Sequence, residues 1–100
     1  MALTSDPILA EQAQELGLVT RLAEPGEAAE VALELAGRIA RNAPLGVAAS
    51  KQIIRQTRGL TEEESWALQG PLVGKIFRSE DAKEGPRAFA EKRAPKWTGR

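Results

Sequence analysis

From Glu27 to Asn42 the apolar residues recur at helical spacing: Val31, Leu35 and Ile39 stand four apart, with Ala28, Ala32, Ala36 and Ala40 beside them. That pattern makes one apolar stripe and predicts a helix over 27–42. Glu27 and Glu30 lie early in it and Arg38 and Arg41 late, each sign where the helix dipole favours it. Asn42-Ala43-Pro44 closes this segment, and Pro44 suits the first turn of a second helix over about 44–58. That helix is expected to bury Leu45, Val47, Ala48, Ala49, Ile53 and Ile54, and to stop at Gly59. Thr61 with Glu64 three residues later forms a capping-box sequence and opens a third helix reaching about Arg78. Within it, Trp66, Val73 and Phe77 share one side and Leu68, Leu72 and Ile76 lie adjacent. Gly70-Pro71 predicts a kink or local break. Ser79 caps a last helical stretch, which Gly85-Pro86 is expected to interrupt before it resumes toward Arg93. The tail from Ala94 to Arg100 carries Trp97 and no periodicity.

The first 26 residues are less regular. Residues 10–16 read as a short helix ended by Gly17 at the C′ position, and Pro25-Gly26 as a turn. Between them Leu18–Leu22 alternates apolar and polar, the one credible strand in the chain. An isolated strand leaves its backbone donors and acceptors unpaired. The segment is therefore either a loop or a strand whose partner lies outside these residues.

Composition narrows the chemistry sharply. The chain of 100 residues has no Cys, no His and no Tyr, which excludes a disulfide scaffold, a Ser-His-Asp triad and any imidazole or thiolate metal site. Fourteen basic residues balance fourteen acidic ones, unlike an autonomous nucleic-acid binder. No stretch approaches a membrane span, and the opening lacks a signal-peptide pattern, which together with absent Cys points to the cytoplasm. Aromatics make up only 4% of the chain and much of its apolar content is Ala, so the core it builds alone is thin. Charge is blocked along the chain: residues 1–34 carry a net −6 and residues 83–100 a net +4. The glutamates at 62–64, with Glu80 and Asp81, sit in first helical turns. The dipole explains them without acid/base catalysis. The scattered glycines form no phosphate-binding loop.

Three stretches bear a resemblance beyond these physical readings. The opening MALTSDPILAEQAQELGLVTRLAEPGE, the junction RIARNAPLGVAASKQII and the ending SEDAKEGPRAFAEKRAPKWTGR are similar, in order, to the later part of the crotonase (enoyl-CoA hydratase/isomerase) superfamily. The resemblance implies a mainly α chain, the C-terminal helical trimerisation region of the crotonase/ClpP-like α/β spiral fold. Residues 1–26 would end the family's core of ββα units, and residues 27–100 would form the helical region, with most of that core missing. The family's oxyanion-hole amides and its two acid/base glutamates belong to that core. No position here matches them, so the chain is expected to be inactive alone. The implied parent adds water to trans-2-enoyl-CoA, with acyl-CoA as substrate, no cofactor, and a homo-oligomer, trimer or dimer of trimers, as its assembly. Neither nucleic acid nor membrane is an implied partner.

Two site residues carry over through A-F-x-E-K-R. Phe89 would line the acyl or pantetheine channel across a subunit interface, and Lys92 would face the CoA phosphates. Lys51 reads as a surface or capping residue instead. Ser5 stands where the family commonly has Gly, and Pro86 stands where it commonly continues with an apolar residue, which bears on the placement of Phe89. A competing reading from another class is a non-catalytic helical assembly module acting through its apolar faces.

Overall fold

The computed structural model describes residues 3–100. Among them the regular elements are all helical: α1 (Ala10–Glu15), α2 (Ala28–Ala40), α3 (Pro44–Gln56), α4 (Glu62–Phe77) and α5 (Asp81–Ala90). The chain divides into two compact units, Met1–Gly37 and Arg38–Arg100.

In the first unit α1 ends as its sequence requires. Gly17 takes a left-handed φ of 71°, its N–H bonds the Gln14 carbonyl, and the Leu18 N–H bonds the Ala13 carbonyl. Those paired bonds are a Schellman ending. Ser5 also holds a left-handed φ, 59°, so the position where the resembling family has Gly does demand that conformation. Leu18–Leu22 forms no strand among the described residues. Its apolar alternation satisfies one requirement of a strand, but the other, a ladder of backbone partners, is not supplied among the described residues. The segment runs beside α2 instead, where Val19, Leu22, Val31 and Leu35 line a hollow of about 320 Å³ and Arg21 reaches Glu34 at 4.0 Å.

In the second unit α3 packs on α4 and α4 on α5. Pro44 occupies the first turn of α3, where its missing N–H costs nothing. Thr61 caps α4 as expected: its hydroxyl accepts from the Glu64 N–H at 3.3 Å, and the Glu64 carboxylate accepts from the Thr61 N–H at 2.8 Å. The local breaks expected at two prolines do not occur. α4 runs unbroken through Pro71 and α5 through Pro86. Each proline forfeits one helical bond, and the capped ends and packed faces of these helices hold the remainder together.

Burial is shallower than the periodicity suggests. Ala49 and Ala88 are the buried apolar residues among those described. Leu45, Val47 and Ile53 of α3 are half-buried, as are Leu68, Leu72 and Ile76 of α4, and Ala49, Leu72 and Ile76 meet at one hollow between those helices. Ile54, Trp66 and Phe77 stay exposed, Phe77 at 76%. Burying one such side chain fully contributes about 1.5–3 kcal/mol, and here that contribution is not realised.

Candidate functional site

The residues after α5 do not trail away. They fold back along α5 and are held by two of its carboxylates. Asp81, in the first turn, is only 3% exposed. One of its oxygens accepts from the Thr98 N–H (2.7 Å) and the Thr98 hydroxyl (3.0 Å), and the other from the Gly99 N–H (3.0 Å). Ser79 caps the same turn through the Ala82 N–H, and the Glu80 N–H bonds the Arg100 carbonyl at 2.7 Å.

One turn further on, Glu84 receives both ends of the Arg93 guanidinium and, at 2.7 Å, the Lys96 N–H. Planar two-point pairing of this kind fixes direction as well as distance. Arg93 also donates to Glu91, which in turn accepts from Arg87 at 3.0 Å. Trp97 follows: its indole N–H bonds the Arg41 carbonyl at 2.8 Å, and its ring lies against α5 at Gly85. A β-carbon on Gly85 would meet that ring at 3.4 Å, an ordinary van der Waals contact.

Between these anchors α5 ends in a second Schellman turn. The Lys92 N–H bonds the Phe89 carbonyl, the Arg93 N–H bonds the Ala88 carbonyl, and Lys92 sits at φ 53°. A non-glycine residue there costs about 1–2 kcal/mol, which the surrounding bonds must offset. Phe89, on the last turn, is 86% exposed. The structure thus brings the two expected site residues together at one helix end. It presents both to solvent. Lys51 lies elsewhere, at the rim of an open groove of about 870 Å³ lined by Ile39, Val47, Ile54 and Trp97.

The electrostatics argue against acid/base chemistry by these residues. A general acid working near neutrality needs its pKa raised. Glu64 is held low by the Thr61 N–H, and Asp81 by the Thr98 N–H despite its burial. Glu91 is lowered by Arg93 and Arg87. Glu84 is lowered from 4.5 to about 2, chiefly by Arg93, whose own pKa is raised in turn. Because the folded chain favours ionised Glu84, the clasp contributes fully above pH 4.5 and is lost as the pH falls through about 2. The Lys96 amide proton resonance, followed by NMR, should therefore titrate with a midpoint near pH 2. A midpoint near 4.5 would mean that Glu84 is unpaired in solution.

Sequence reasoning named Phe89 and Lys92 through the resemblance and assigned Asp81 to the helix dipole alone. The signal was faint: Asp81 and Glu84 share a helix face, and the returning tail meets them in reverse order, Arg93 and Lys96 at Glu84 and then Thr98 at Asp81.

The model of the Enoyl-CoA hydratase/isomerase family matches residues 1–100. The chain belongs to that family. Enoyl-CoA hydratase EchA19 of Mycobacterium tuberculosis is 45% identical over 100 residues, which is all of this chain and 38% of that protein. Carnitinyl-CoA dehydratase of Salmonella arizonae is 44% identical over 103 residues, 99% of this chain and 40% of the relative. The crystal structure of an enoyl-CoA hydratase from Mycobacterium tuberculosis H37Rv superposes with a TM-score of 0.93 at 50% identity, over 99% of this chain and 39% of that one. EchA1 of Mycobacterium marinum gives 0.93 at 52% over the same shares. The chain thus spans about two fifths of these enoyl-CoA hydratase/isomerase relatives, and it is a helical segment of the crotonase fold. No helix among its described residues is long and apolar enough to cross a membrane.

Proposed function

We propose that this chain supplies the C-terminal helical portion of an enzyme that adds water to trans-2-enoyl-CoA, contributing acyl-CoA and subunit contacts rather than reactive groups. Support for the substrate class comes from the relatives, whose names join a CoA thioester to hydratase or dehydratase activity, one reaction in its two directions. The observation that carries the contact role is Phe89, a large aromatic left 86% exposed on a helix end whose turn is bonded on both sides. A free aromatic on a rigid support is suited to line an acyl or pantetheine channel. Lys92, one helical turn further, supplies a single cation toward the CoA phosphates. Exposed Trp66 and Phe77 support contacts with the rest of the fold or with further copies in a homo-oligomer.

The test is a hybrid in which these 100 residues replace the corresponding region of Mycobacterium tuberculosis EchA19, assayed with crotonyl-CoA. In that hybrid Phe89→Ala should raise KM about tenfold with kcat nearly unchanged, the loss of one buried aromatic contact. Lys92→Ala should raise KM about threefold, an effect that fades at high salt as expected for a screened charge. Unaltered KM in both variants would remove these residues from the acyl-CoA site.

A further inference from the structure

We infer that Glu84 is a positioning residue for the acyl-CoA contact: through Arg93 it holds the turn that carries Phe89 and Lys92. The inference rests on the proposed reading of those two residues as substrate contacts. The geometry that supports it is continuous. Glu84 stands on α5, five residues before Phe89, and its carboxylate binds both ends of the Arg93 guanidinium. Arg93 is the residue whose backbone N–H closes the turn on the Ala88 carbonyl. Its side chain and its backbone are thus both tied to α5, and Lys92 is held between them at φ 53°.

A lysine adopts that conformation only where its neighbours enforce it. Glu84 also accepts from the Lys96 N–H, so the chain beyond the turn is fixed by the same carboxylate. Glu91 gives Arg93 a second partner, but it is the capping residue of the turn itself and is more exposed than Glu84. Of the two carboxylates, Glu84 is therefore the one that ties Arg93 back to the body of the helix. Neither Glu84 nor Arg93 needs to touch substrate in this role. Their effect is to keep an exposed aromatic and a cation in one arrangement, so that binding does not have to order them.

The inference has two readouts. In the 100-residue chain, Glu84→Gln should loosen Lys92, with its backbone amide order parameter falling from about 0.8 to below about 0.6 and its coupling constants leaving left-handed values. Arg93→Lys keeps the charge but loses the fork and should do the same. In the hybrid enzyme, Glu84→Gln should raise KM for crotonyl-CoA about threefold without lowering kcat. Added to the Phe89→Ala/Lys92→Ala double variant it should change nothing further, because it acts only through those residues. A Lys92 that stays ordered in Glu84→Gln overturns the inference, as does a KM penalty that persists in the double-variant background. If Phe89→Ala and Lys92→Ala raise KM while Glu84→Gln does not, the inference alone fails. If none of the three moves KM, the reading of the site fails with it.

Discussion

Replacing Asp81 by alanine is expected to free the end of the chain from α5. The substitution removes the acceptor of three hydrogen bonds, two from the Thr98 and Gly99 backbone N–H groups and one from the Thr98 hydroxyl. A half-buried N–H without a partner is costly, so Thr98 and Gly99 should leave for water rather than stay in place. Trp97 precedes them directly, and its hold on the Arg41 carbonyl should weaken with theirs. Hydrogen exchange reads this directly: the Thr98 and Gly99 amides should exchange at least about tenfold faster in Asp81→Ala. Asp81→Asn is the informative companion. It keeps the shape but turns one acceptor into a donor facing a donor, so it should also release the tail. Unchanged exchange in both variants would mean that packing, and not these bonds, seats the tail.

The features legible in the sequence are those whose causes are local. Val31, Leu35 and Ile39 at helical spacing, with the alanines beside them, suffice for α2. Thr61 and Glu64 bond each other across a single turn, and Gly17 ends α1 by its own backbone freedom. The features that escaped sequence reading depend on residues far apart. Asp81 meets Thr98 and Gly99 across 17 and 18 positions, and Trp97 meets Arg41 across 56, with no periodicity to announce either pairing. Pro71 was expected to kink or break α4 and Pro86 to interrupt α5 on local grounds; both helices continue, and tertiary support outweighs the one bond each forfeits. Leu18–Leu22 shows the reverse. Its pattern suits a strand, yet pairing needs a partner that local pattern does not provide. The site divides in the same way. Phe89 and Lys92 were named through the A-F-x-E-K-R resemblance, whereas the clasp between Glu84 and Arg93 became visible only once the tail was seen folded against α5.

The thin interior has a functional counterpart. Exposed Ile54, Trp66, Phe77 and Phe89 amount to an apolar surface that these 100 residues do not cover for themselves. A relative at 45% identity matches this chain over only 38% of its own length. Under the proposed reading those side chains are contact surface, and Glu64, Asp81, Glu84 and Glu91 are committed to a cap and to clasps that lower their pKa values. None of those four carboxylates has the raised pKa that a general acid near neutrality needs.

Crotonyl-CoA hydration, followed for the 100-residue chain and for the EchA19 hybrid at equal concentration, puts this division to the most direct test. The account predicts turnover by the hybrid and a rate indistinguishable from buffer for the chain by itself. Enzyme-level turnover by the chain alone would contradict it, because the reactive groups would then have to lie among the carboxylates assigned here to structure.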